Sequence, residues 1–216
     1  MSKSARQQKQ EKDEELKRRE EEKKAFKAAQ ELDALRRTFK RIIKSGDNKI
    51  SADDIISELK FLGFAVTEKE AALYIWEVDD DNDGHIDWEE FKSMFYRVRD
   101  DESGCEPRRL FNVIDFLMLD KNHSGSVDMD ECITLLWSRY GKELVEENLN
   151  AMKKENHASL QADAANEKNV SFSFFNEIQR RCKKMRIGSG IKAGSTTVPT
   201  VNGLKFVSDP QFQHLV

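Results

Sequence analysis

Asp79 to Glu90 reads DDDNDGHIDWEE, and seven of its twelve side chains are carboxylates. Like charges packed this closely repel one another, so the stretch needs a cation to hold it closed. With Asp79 as position 1, Asp79, Asp81 and Asp83 fall at positions 1, 3 and 5. Gly84 falls at position 6, where the chain must turn sharply and a Cβ would be costly. His85 at position 7 would offer its backbone carbonyl, and Asp87 stands at position 9. Glu90 at position 12 is long enough to reach back with both oxygens. Such a loop surrounds a hard divalent cation with six to eight oxygens at about 2.3–2.6 Å.

The pattern repeats 41 residues later, in DKNHSGSVDMDE from Asp120 to Glu131. Asp120, Asn122, Ser124, Ser126, Asp128 and Glu131 take the ligand positions, and Gly125 takes the turn. Two full matches predict two Ca2+ sites. The first loop offers five carboxylates as ligands and the second three, with Lys121 beside its first ligand. Ligand charge tunes affinity, so the Asp79 loop is expected to bind more tightly, and Mg2+ is a second candidate there. Ile86 and Val127 at position 8 are β-branched, as suits a short strand pairing two adjacent loops.

The partner loops are recognisable and damaged. IKSGDNKISADD (43–54) places Ile50 at position 8, but Ile43 replaces the first ligand and the shorter Asp54 the last. DAANEKNVSFSF (163–174) places Val170 at position 8, with Ala165 and Phe174 at positions 3 and 12. Neither is expected to hold an ion; their task is to pair with the working loop. The position-8 residues recur at spacings of 36, 41 and 43, an internal repeat of four units.

Amphipathic helices flank the loops. Leu32, Leu35, Phe39, Ile42 and Ile43 form one stripe. Thr67 and Glu70 make a capping box ahead of a helix expected to bury Leu73, Ile75, Trp76 and Val78. Phe91, Met94 and Phe95 follow the first loop, and Leu110, Phe111, Ile114, Leu117 and Met118 precede the second. Ile133, Leu135, Leu136 and Trp137 come after it, and further helices are expected over 143–156 and 172–184. DDESGCEP (100–107) reads as a linker, with Pro107 suited to the first turn of the next helix. Residues 3–30 are rich in Lys, Arg, Glu and Gln, with acid-first pairs four apart such as Glu15/Arg19. A long solvated helix and a disordered charged tail are both open there. Residues 187–216 hold four of the ten glycines and two of the three prolines, with spaced apolar residues from Val198 to Leu215. A disordered tail and a segment that docks on another surface are the two readings.

The chain resembles the calmodulin and troponin C superfamily of EF-hand proteins over roughly residues 30–185, most densely at ELKFLGFAVTEKEAALYIWEVDDDNDGHIDWEEF. The resemblance implies an all-α fold of two lobes, each an EF-hand pair. The expected organisation is a charged extension (1–30), an N-lobe with its second loop live (31–99), a linker (100–107), a C-lobe with its third loop live (108–186) and an extended tail (187–216). One live site per lobe and long extensions depart from the family pattern.

Other chemistries find no support. A net charge of −4 makes the molecule no magnet for nucleic acid. Cys105, Cys132 and Cys182 are odd in number and lack C-x-x-C spacing, against a disulfide framework or zinc site and in favour of a reducing compartment. No secretory leader, N-myristoylation glycine or apolar run of membrane-spanning length is evident. His85 and His123 read as surface loop residues, and Trp88, lying within a loop, as the most exposed of three tryptophans. RRCKKMR (180–186) reads as the solvated end of a helix; contact with an acidic protein surface or with an anionic membrane, with Cys182 lipidated, is the alternative. Thirteen phenylalanines against six methionines suggest one dedicated partner rather than a rotating set.

The expected function is that of a cytoplasmic, non-enzymatic, calcium-binding interaction protein. Its EF-hand grooves, N-terminal helix and C-terminal tail would engage protein partners in a larger assembly, with the cytoskeleton and the ciliary or flagellar axoneme as the family-level setting. A soluble calcium buffer and a calcium-sensing regulatory subunit of an enzyme are the alternatives.

Overall fold

The computed structural model describes residues 5–101, 103–154 and 168–189, and the fold is mostly helical. In chain order the elements are α1 (Ala5–Ile42), α2 (Ala52–Phe61), α3 (Glu68–Trp76), α4 (Trp88–Arg99), α5 (Arg109–Leu119), β1 (Ser126–Asp128), α6 (Met129–Tyr140), α7 (Lys142–Lys154), β2 (Asn169–Ser171) and α8 (Phe172–Ser189).

The charged N-terminal run is helical from Ala5 and continues without a break into the first apolar stripe. At 38 residues this rod is about 57 Å long. Residues 12–30 are exposed, and burial begins where the stripe begins, with Leu35, Phe39 and Ile42 in the core. Arg19 and Glu15 pair at 2.7 Å on the solvated part, a contact of the kind that supports a helix by a few tenths of a kcal/mol. Residues 12–30 therefore have helix propensity and charge pairing but no buried face.

The loops pair as their position-8 residues predict. Ile50 and Ile86 exchange backbone hydrogen bonds, each 2.9 Å. In the second half β1 and β2 form an antiparallel ladder in which Val127 faces Val170. All four side chains are buried beneath the loops.

Several helix starts have a polar cap, although the N-cap of α5, Arg108, makes no side-chain cap hydrogen bond. Thr67 and Glu70 form the expected capping box, and Ser51 with Asp54 and Asp87 with Glu90 form two more. Asp54 does further work in the damaged first loop. Its carboxylate accepts from the Lys44 and Ser51 amides at 2.9 Å each and from the Ser51 hydroxyl at 2.7 Å. The shorter acid thus closes this loop onto its own backbone. Burial pushes the Asp54 carboxyl up, but the hydrogen bonds from Ser51, Lys44 and Ser45 outweigh it and hold the group below its ordinary 3.8. A depressed acid contributes stability that is present above its ordinary value and is lost as pH falls through the depressed one. Asp54→Asn should therefore cost about 1.5 kcal/mol at neutral pH, and the gap to wild type should narrow in acid. Thermal melts in chelator at neutral and acid pH check this; a gap that widens in acid refutes it.

The two halves do not stand apart. One hydrophobic cluster runs through both, with Phe95 of α4 stacked on Phe111 of α5 at 5.3 Å between ring centroids. Phe64, after α2, meets Phe172 of α8 edge-on at 5.4 Å. Phe116 packs on Phe172 and Phe175. Eight of the thirteen phenylalanines are buried this way, so most of the aromatic surplus is spent inside the molecule rather than on a partner.

Several expectations change. Trp76 is 74% exposed, and Ala71, Tyr74 and Ile75 are the buried face of α3. Trp88 is instead partly buried, packed on Phe39 and Phe91, because it opens α4 beside the α1 stripe. Pro107 lies before the helix rather than in its first turn: α5 begins at Arg109 after an N-cap at Arg108. Arg108 is buried and donates to the Val98 carbonyl at 3.1 Å, which pins the linker to the end of α4. The same linker is wound around Asp101, which accepts from the Ser103, Gly104 and Glu106 amides. Cys182 is fully buried, which removes the lipidation alternative, and burial pushes its thiol up to about 12. α8 runs to Ser189, past the expected end of the lobe at 186. The reading of residues 190–216, and of the damaged fourth loop before Lys168, lies outside the described residues.

Candidate metal centres

The Asp79 loop leaves α3 at its C-terminus and enters α4 through Asp87. The turn is made by two left-handed residues, Asn82 at φ 59° and Gly84 at φ 80°. Asn tolerates that region better than most side chains. The loop then folds its acids inward by hydrogen bonding them to its own amides. Asp79 accepts from the Asp83 amide at 3.1 Å and the Gly84 amide at 2.9 Å. Asp81 accepts from Asp83 at 3.1 Å. Asp83 accepts from His85 at 2.9 Å. As a result, oxygens of Asp79, Asp81 and Asp83 lie within 4.8 Å of one another. Hard oxygen donors gathered so closely fit a divalent cation of the calcium type.

Asp87 and Glu90 are held from the other side. Asp87 caps α4, accepting from the Glu89 and Glu90 amides at 2.8 and 3.0 Å. Glu90 spans the loop, accepting from the Asp80 amide at 2.8 Å and the Asp87 amide at 2.9 Å. The last acid therefore already reaches back to the loop entrance. The His85 ring is half exposed, and its Nδ1 lies 3.1 Å from the Asp83 carbonyl, so the ring stays within its own turn.

The Asp120 loop repeats the backbone. His123 and Gly125 are left-handed at φ 57° and 75°. Asp120 accepts from the Ser124 amide at 2.9 Å and the Gly125 amide at 3.0 Å, and Asn122 accepts from Ser124 at 3.1 Å. The Ser124 hydroxyl donates to the Ser126 carbonyl at 2.9 Å. Asp128 caps α6 through the Asp130 and Glu131 amides. Asn122, Ser124, Ser126, Asp128 and Glu131 line one cleft of about 320 Å³. Here the last acid differs: Glu131 is 51% exposed and stands 3.7 Å from the Lys121 ammonium.

Helix-flanked loops paired through position 8, two of them with a full oxygen set, are the geometry of EF-hands. An EF-hand domain pair model matches residues 32–96, and an EF-hand model matches residues 113–136. The calcium-binding allergen Ole e 8 of Olea europaea is 33% identical over 119 residues, covering 52% of this chain and 67% of its own length. The chain belongs to the EF-hand family. Two further relatives match at lower identity. Troponin C of Todarodes pacificus is 29% identical over 127 residues, 58% of this chain and 82% of its own. The putative calmodulin-like protein 6 of Oryza sativa subsp. japonica is 25% identical over 150 residues, 69% and 83% of the two chains. This is a calcium-binding EF-hand protein related to the calmodulin-like group.

Two cations at the EF-hand loops were not legible in the motifs. The Lys49 ammonium sits on the Asp83 carboxylate and holds it below its ordinary value. Pairing Ile50 with Ile86 places Lys49, at position 7 of the first loop, beside the Asp79 loop, which was the available signal. The Arg41 guanidinium bonds Asp120 at 3.0 Å from 79 residues away, and no local spacing announces it. Among the described residues no helix is long and apolar enough to cross a membrane.

Proposed function

We propose that the chain is a non-enzymatic calcium-binding interaction protein with two ion sites, fixed to a larger assembly by its N-terminal rod and its C-terminal tail. The ligands would be Asp79, Asp81, Asp83, the His85 carbonyl, Asp87 and Glu90 in one site. In the other they would be Asp120, Asn122, Ser124, the Ser126 carbonyl, Asp128 and Glu131. Magnesium is a second occupant of the first, where five carboxylates stand together. Bound calcium supplies the charge that lets the acids close on one point. The protein supplies the framework of paired loops that sets how far the flanking helices move.

The observation that carries the anchoring role is the exposed half of α1. Residues 12–30 stand as helix with no face buried against the rest of the described residues, and Phe26 is 65% exposed. A buffer needs ion loops and has no use for such a rod. We place the assembly in the cytoskeleton, the ciliary or flagellar axoneme included, on the likeness to calmodulin and troponin C-like proteins. A shared core between the halves favours a second reading, a calcium-stabilised structural part rather than an opening sensor.

Pelleting with polymerised actin, with microtubules and with demembranated axonemes, in calcium and in chelator, tests the proposal. The full chain should pellet with one of these, and a chain lacking residues 1–30 should stay behind. A full chain that remains in the supernatant throughout overturns the cytoskeletal setting. Binding of a hydrophobic dye to the free protein separates the two modes: calcium raises it for a sensor and leaves it flat for a structural part.

A further inference from the structure

We propose that Arg41 is a clasp that ties the end of α1 to the Asp120 loop and holds down that loop's calcium affinity, so that calcium uptake there loosens the contact between the two halves of the chain. The proposal rests on the reading of the Asp120 loop as an ion site.

Arg41 lies one residue before the end of α1. Its Nε donates to Glu58 of α2 at 2.7 Å. Its Nη1 donates to Asp120 Oδ2 at 3.0 Å and to the Asp120 carbonyl at 3.1 Å. The three side chains are 6%, 4% and 0% exposed. One guanidinium is thus shared between a carboxylate of its own half and the first ligand of the other half's live loop. Phe61 at the end of α2 seals the contact. Its ring centroid lies 5.6 Å from the guanidinium carbon, and a Cβ on Gly125 would meet the ring at 3.5 Å.

Charge decides the sign. Oδ2 of Asp120 serves both the Gly125 amide and Arg41, while Oδ1 serves the Ser124 amide and stands 3.3 Å from the Ser124 hydroxyl. Arg41 is therefore not in the cleft itself; it neutralises the ligand from behind. The loop has three ligand carboxylates, and one of them is already matched by a cation that solvent does not screen. Lys49 on Asp83 is a different case, because both groups are about one-third exposed and can part at little cost. A contact that lowers the affinity for an ion is weakened by that ion to the same degree. The Asp120 loop is therefore where calcium and the packing of the two halves exchange free energy.

Calcium titration by calorimetry in a Glu90→Gln background reads the Asp120 loop alone. Arg41→Met should tighten that site about tenfold, within the usual range of coupling between sites. Arg41→Met/Glu58→Met also removes the carboxylate that the single variant leaves buried, and it should show the same gain if the single variant folds poorly. Dyes at Asp33→Cys and Ser138→Cys, with Cys105→Ser, report the spacing of the halves. Calcium should lengthen it in the Arg41 chain and leave it unchanged in the Arg41→Met chain. Unchanged or weaker binding in both Arg41 variants overturns the clasp while leaving the site intact, as does a spacing that ignores calcium. No calcium heat at all in the Glu90→Gln background overturns the reading of the site itself, and the clasp with it.

Discussion

Glu90→Gln should cost the Asp79 loop on the order of 100-fold in calcium affinity, the difference between an acid that can give both oxygens and an amide that can give one. The substitution is close to isosteric, and Gln at the third position of α4 can still reach back to the Asp87 amide, as Gln does in a capping box. Melting in chelator should therefore barely move, which separates ion loss from misfolding. The matching Glu131→Gln change should have a smaller effect on the total calcium signal, for three reasons visible in the loops. In the Asp79 loop, carboxylate oxygens of Asp79, Asp81 and Asp83 lie within 4.8 Å of one another. Its Glu90 already spans the loop, whereas Glu131 is half exposed beside Lys121. And Asp120 is shared with Arg41. Calorimetry of each single variant isolates the other site. The site left in Glu131→Gln should be the tighter one; a tighter site left in Glu90→Gln would refute the order.

The contrast between the loops shows what a sequence of this kind discloses. The twelve-residue pattern names which side chains would enclose an ion because those side chains are local, and each is placed by a turn that its neighbours determine. Position 8 discloses which loops pair, since a β-branched residue there serves both the bridge and the core; Ile50 with Ile86 and Val127 with Val170 follow from that alone. Trp76 and Trp88 depart from expectation for different reasons. Helical spacing gives the angle between residues around a helix but not the width of the buried stripe, and α3 is only nine residues long. Trp88 belongs to the loop by motif and to α4 by packing. The contacts between the halves were illegible. Phe95 on Phe111, Phe64 on Phe172 and Arg41 on Asp120 depend on how one folded unit docks on another, and no periodicity within either unit encodes that.

Arg139→Met should be among the most destabilising single changes in the second half, costing about 3–5 kcal/mol at neutral pH, because it breaks a buried ion pair by removing one partner. Arg139 on α6 donates to Asp115 on α5 at 2.8 Å, and Asp115 is buried. The two helices also meet at Phe111, where the Arg139 and Arg108 guanidinium carbons each lie 5.2 Å from the ring centroid. Burial pushes the Asp115 carboxyl above its ordinary value, while Arg139 pulls it back. Without Arg139 the upward push is unopposed at its strongest point, and the variant should fold with Asp115 protonated. An acid raised in the folded state contributes stability that is present below its ordinary value and is lost as pH rises through the folded one. The deficit of Arg139→Met relative to wild type should therefore shrink in acid and grow toward neutral pH, whereas a simple loss of packing would not depend on pH. Adding Asp115→Leu to Arg139→Met removes the stranded charge and should recover most of the loss, since a buried pair replaced whole by apolar groups is often neutral. Urea unfolding in chelator at acid and neutral pH distinguishes these outcomes, and a deficit that is flat with pH and untouched by the second substitution would show that Arg139 matters for its stem over Phe111 and not for its charge.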